Sequence, residues 1–167
     1  MEKLEVKKIF RRIVLFVFLG HFVLSFIHLL VFYMGHPLFD MLNEFPIWVQ
    51  VVGVSLWNFI AYVVVGIILG VNRDDQPLYY LLLDRALILL ALFLILVYGA
   101  IYISTYWYTL RNIWLIYSLL NALFGTYMYR LPTESILSLW WVVSTIVPSI
   151  AMFVGALIRM HFEEKKS

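Results

Sequence analysis

The chain reads as all-α: a polytopic integral membrane protein built as a bundle of five transmembrane helices, with the N-terminus inside and the C-terminus outside. Three observations predict it. Of 167 residues, 64% are hydrophobic and only 13% charged, where a soluble domain carries about 25% charge. The mean hydropathy of +0.94 leaves too little polar side chain to clothe a water-facing surface. The apolar residues also fall into runs of about 20, the length that crosses a bilayer as helix, with the bases gathered at the run ends. Short connections and no linker predict one domain over residues 1–167.

The first run carries the most direction. Lys3, Lys7, Lys8, Arg11 and Arg12 precede a span over residues 13–34 that holds no acid or base except His21 and His28. Such an N-terminal excess of bases predicts a cytoplasmic start, in the plasma membrane of a prokaryote. The run is too long for a signal peptide and has no small-residue cleavage site, so it reads as a retained span. Gly35, His36 and Pro37 close it. A short interfacial segment follows, in which Leu38, Phe39, Met41, Leu42 and Phe45 are interleaved with Asp40, Asn43 and Glu44, a pattern that lies in the membrane plane.

The second span, 47–70, opens on Trp48 and carries Ser55, Asn58 and Tyr62 along one side. Its Gly66 and Gly70 form a GxxxG that lets another backbone come close. Residues 72–77 make an inner turn. The third span, 79–103, has Asp84 and Arg85 near its inner end, where Arg85 snorkels toward headgroups. Tyr106, Trp107 and Tyr108 form an outer aromatic belt. The fourth span, 112–129, is the shortest and most polar, with Trp114, Ser118, Asn121 and Gly125 on one face. The fifth, 136–158, contains Pro148, which frees the carbonyl of Ser144 and bends the helix. Ala151 and Gly155 form a second small-xxx-small pair.

Five crossings place Lys3, Lys7, Lys8, Arg11, Arg12, Arg73, Arg85 and Arg130 inside, against Arg111, Arg159, Lys165 and Lys166 outside. The basic tail pulls against this arrangement. Were the polar fourth segment re-entrant, the tail would return to the inner side.

The ligand or cofactor candidates are the polar residues at membrane depth: His21, Ser25, His28, Asn58, Tyr62 and Asn121. His21 and His28 share one helix face about 10 Å apart, too far to chelate a single ion. A haem b site would need a second histidine from another helix, and His36 and His161 fall at the wrong depths. No metal site is expected. Each polar residue has a simpler reading as interhelical hydrogen-bonding, and the small residues Gly66, Gly70, Ala151 and Gly155 as packing.

Other classes fall away. With no cysteine there is no thiolate or iron–sulfur chemistry, and no hydrolase, nucleotide-binding, metalloprotease or ion-filter motif occurs. The net charge of +2, with bases at span ends, gives no reason to expect nucleic acid as a partner. The expected partners are membrane lipids and other membrane subunits. The favoured function is a non-catalytic subunit or assembly partner of a larger membrane complex. The alternatives are a small electron-transfer or quinone- or haem-binding protein centred on His21 and His28, and a small-molecule transporter or receptor.

Overall fold

A computed structural model of the chain describes residues 3–33, 37–70, 76–107, 113–121 and 139–164, and every element among them is helical. In order these are α1 (Lys3–Tyr33), α2 (Pro37–Asn43), α3 (Ile47–Leu69), α4 (Gln76–Trp107), α5 (Ile113–Leu120), a 3-10 turn (Leu139–Val142) and α6 (Val143–Glu164). Four of them are long and apolar enough to cross a membrane, over Leu4–Val31, Ile47–Leu69, Pro77–Ser104 and Val143–Phe162. Proline and glycine punctuate the chain as their backbones require. Pro37 and Pro77 sit in first turns, where no N–H is needed. Gly70 leaves α3 in an extended conformation while its N–H still bonds the Gly66 carbonyl.

Each long helix buries one narrow stripe and exposes the rest. On α1 the stripe is Ile13, Val17, His21, Ser25 and His28; on α3 it is Gln50, Val54, Asn58, Tyr62 and Gly66; on α4 it runs through Leu83, Leu87, Leu90, Leu94 and Tyr98. Steps of three and four residues keep one face inward. The outward faces carry Leu15, Phe26, Trp57, Ile68, Ile88 and Leu96, all well exposed in the isolated chain. Water would not tolerate so large an apolar surface, whereas hydrocarbon is its natural solvent.

The most extensive helix pairing joins α3 to α6. A Cβ on Gly66 would overlap the backbone carbonyl of Met152, and one on Gly155 would overlap the carbonyl of Val63. The two backbones are therefore in direct contact, and any larger side chain must drive them apart. Gly70 accommodates the stem of Arg159, whose guanidinium donates to the Ile67 carbonyl at 3.2 Å and so caps the carbonyl end of α3.

These contacts fix direction. Residues 66 and 70 of α3 meet 152 and 159 of α6, so the two helices run parallel. Helix α1 runs antiparallel to α3: Gly20 meets Val65, His21 meets Tyr62, and Val31 packs beside Val54. Helix α4 is antiparallel to α6, with Leu87 beside Ser149 and Tyr80 beside Ala156. The end of α6 therefore lies at the same end of the bundle as the start of α1. This differs from the expected arrangement of five crossings with opposite termini, which requires the last helix to run parallel with the first. The expected fourth span, 112–129, is described only in part. Its described part is helical only through Leu120, and Asn121 has already left the helix; residues 122–129 lie outside the described residues. The expected first span is part of a longer helix, since the basic segment from Lys3 continues unbroken into it.

Gly155→Leu is expected to destabilise the protein in detergent by about 3 kcal/mol or more, the upper range for overpacking a tight contact. Gly99→Leu, at a position where a Cβ meets nothing within 4 Å, is expected to shift unfolding by less than about 0.5 kcal/mol. Reversible unfolding in mixed micelles measures both.

Candidate functional site

Several buried polar side chains gather where the end of α5 meets the middle of α1 and the beginning of α6. Two hydrogen-bonded chains meet there, and the chemistry of each donor settles the direction of each.

The first chain holds α1, α3 and α5 together. His21 lies with one ring nitrogen, Nε2, 2.8 Å from the carbonyl of Leu120 and the other, Nδ1, 2.9 Å from the hydroxyl of Tyr62. A carbonyl only accepts, so Nε2 carries the proton, and the bare Nδ1 of the neutral ring accepts from Tyr62. The two rings are also nearly parallel, with centroids 5.7 Å apart. Ser25, one turn along α1, points its hydroxyl at the same Leu120 carbonyl from 3.5 Å. That carbonyl belongs to the last residue of α5, where the helix ends with partial negative charge. Donors from α1 meet it.

The second chain joins α5 to α6. Proline at position 148 has no N–H to offer the carbonyl of Ser144, four residues earlier. The side chain of Asn121 supplies the donor instead, with Nδ2 at 3.1 Å from that carbonyl. The same Nδ2 lies 3.0 Å from the Tyr117 oxygen. Tyr117 in turn donates to the Ser144 hydroxyl at 2.7 Å, because that hydroxyl spends its own proton on the carbonyl of Trp141 at 2.6 Å. Asn121, Tyr117 and Ser144 are all fully buried. The bond to a carbonyl also fixes which end of the Asn121 amide is nitrogen. Two buried atoms, Asn121 Oδ1 and Trp114 Nε1, find no hydrogen-bond partner among the described residues.

The structure thus brings His21, Ser25, Tyr62 and Asn121 into one neighbourhood. Asn58 lies on the same buried stripe of α3, one turn before Tyr62. His28 is separate. Its Nδ1 donates to the carbonyl of Leu24 in its own helix at 2.7 Å, and its ring helps to line an apolar groove of about 320 Å³ between α1, α2 and α3, along with Met41, Leu42, Val54 and Trp57. Gly66, Gly70 and Gly155 lie at the α3–α6 contact already described, and Ala151 is fully buried on α6 one turn before Gly155.

For His21 to bind haem iron through Nδ1 it must release Tyr62, and through Nε2 it must release Leu120, because both nitrogens are already engaged. Among the described residues no three His, Asp or Glu side chains are grouped as a metal would need.

Sequence reasoning missed Tyr117, Gln50 and Ser149. Gln50 donates to the Phe45 carbonyl at 2.7 Å and braces the turn between α2 and α3; Ser149 donates to the Leu87 carbonyl at 2.8 Å and ties α6 to α4. Tyr117 was hidden because tyrosine is common in this chain and usually interfacial. The signal that could have found it is its spacing, four residues before Asn121.

No family model, curated protein or solved structure matches this chain.

Removing the Tyr62 hydroxyl by Tyr62→Phe is expected to cost about 0.6–1.7 kcal/mol, the range for interhelical bonds in a membrane. Asn121→Ala is expected to cost about 1–3 kcal/mol, because it strands a buried carbonyl. Pro148→Ala restores an N–H to that carbonyl, so in its presence Asn121→Ala should lose less. A double-mutant cycle on unfolding free energies reads this coupling.

Proposed function

We propose that the chain is a non-catalytic helical subunit or assembly partner of a larger membrane complex. The observation that carries this reading is how the interior polar groups are used. His21, Tyr62, Asn121, Tyr117, Ser144 and Ser149 direct their hydrogen bonds at one another and at backbone carbonyls of neighbouring helices. A catalytic group must instead offer its proton or lone pair to a substrate. Here those groups hold helices in register.

Support also comes from the outer surface. Gly20, Gly66, Gly70 and Gly155 each admit a neighbouring helix, but Gly53 and Gly99 face open space. Ala100 is exposed beside Gly99. Small residues on the outside of a membrane helix let a further backbone approach closely, which suits another chain better than it suits lipid.

The same reading assigns sides. Every Lys and Arg among the described residues, namely Lys3, Lys7, Lys8, Arg11, Arg12, Arg85 and Arg159, lies in the half of the bundle that contains the start of α1. The positive-inside rule makes that half cytoplasmic, and both ends of the described chain then face the cytoplasm.

One observation favours a second reading, a quinone-like ligand at His28. An apolar groove of about 320 Å³ beside its ring, lined also by Val31, Leu42, Val54 and Trp57, suits a flat lipophilic compound.

Extraction from native membranes into polymer-bounded discs separates these readings. The expected product has no visible absorption band and contains a stoichiometric second membrane chain. Gly99→Ile with Ala100→Ile should strip that chain away without lowering the unfolding temperature. A single-chain product overturns the subunit reading, and one that also carries a bound quinone lost on His28→Phe establishes the second. Reporter tags at Met1 and Ser167 are expected on the same side of the membrane; opposite sides would refute the assigned orientation.

A further inference from the structure

The start of α1 is more than a topological signal. Leu4, Lys7, Arg11 and Leu15, and beside them Lys8 and Arg12, recur at steps of three and four residues, so the six form a single stripe. They line one shallow depression of about 380 Å³. All four cations in it are exposed, and Glu5 is the only acid described on α1 against five Lys and Arg. The stripe runs directly into the lipid-facing apolar surface through Leu15 and Leu19, which are more than half exposed.

A second depression adjoins the first and shares Arg12. It is a trench of about 350 Å³ between α1, the last turn of α3 and the first turn of α4, walled by Ile9, Ile13, Phe16, Ile68 and Leu69, with Tyr79 at its edge. The trench floor is hydrocarbon and its rim is cationic. Helix α3 ends here, and bare carbonyls at a helix end would repel an anion. Three of them are already occupied. Gly66 accepts from the Gly70 N–H, Ile67 from Arg159 and Leu69 from the Tyr79 hydroxyl at 2.6 Å.

We propose that this corner binds an anionic phospholipid. Its phosphate sits among Lys7, Lys8, Arg11 and Arg12, and one acyl chain lies in the trench against Ile13, Phe16 and Ile68. Guanidinium forks and lysine ammonium groups match phosphate oxygens. Clusters of bases at the mouth of a membrane helix select anionic over zwitterionic headgroups. The trench distinguishes this site from a general attraction to charged membrane, because it needs the chain as well as the charge. The proposal rests on the helices lying in a bilayer and is independent of the partner reading above.

The test uses the full chain in phosphatidylcholine vesicles doped with spin-labelled phosphatidylglycerol or spin-labelled phosphatidylcholine. Electron spin resonance reads the immobilised fraction of each label. Wild-type protein is expected to prefer the anionic label at least about fivefold, the effect of one base at an anionic headgroup. Replacing Lys7, Lys8, Arg11 and Arg12 by Gln should bring the preference to near unity. Ile68→Trp keeps every charge but fills the trench, and should reduce the preference at least about threefold. Equal association of the two labels with wild-type protein overturns the proposal. So does an undiminished preference in Ile68→Trp, which would leave only diffuse charge attraction.

Discussion

The direct contact between the backbones of α3 and α6 governs the rest of the structure. In hydrocarbon, apolar side chains gain nothing by leaving lipid for one another, so helices associate where their surfaces fit closely. Gly66 and Gly155 remove the side chains that would hold these two apart, and the carbonyls of Val63 and Met152 fill the space. The contact can form in only one register. Once it forms, α6 lies parallel to α3, Arg159 reaches the end of α3, and both ends of the described chain lie at one end of the bundle.

A second constraint follows from the first. A bilayer offers no water to a stranded carbonyl, and each one must find a donor within the protein. Pro148 strands the carbonyl of Ser144, and α5 ends on Leu120 with its carbonyl facing α1. Asn121 answers the first and His21 the second. Side chains on α1 meet the end of α5, and Asn121, next to that end, completes α6. These hydrogen bonds seat α5 against α1 and α6.

The two ends of the bundle divide the remaining roles. At the end holding the described bases, Tyr79 and Arg159 quiet the carbonyls of α3, and a cationic rim borders an apolar trench. At the other end, Trp48 and Phe45 are exposed and Gln50 braces the turn that joins α2 to α3. This polarity makes the molecule asymmetric across a membrane. One half presents charge, and the other presents aromatic and small residues.

Four helices and their inward faces were legible from composition and spacing, because hydropathy and a period of 3.6 residues are properties of a single segment. The same holds for the carbonyl freed by Pro148, whereas Gln50, Ser149 and Tyr117 carry no such signal. What no single segment records is which partner each finds. Asn121 and Ser144, or His21 and Leu120, are separated by 23 and 99 residues, and nothing in either member names the other. Direction suffers likewise, since an apolar run reads the same way up or down. Sequence alone determined that this chain belongs in lipid and which faces must be hidden there. That α6 runs parallel to α3 emerges only when the chain is packed, because it depends on two backbones meeting at Gly66 and Gly155.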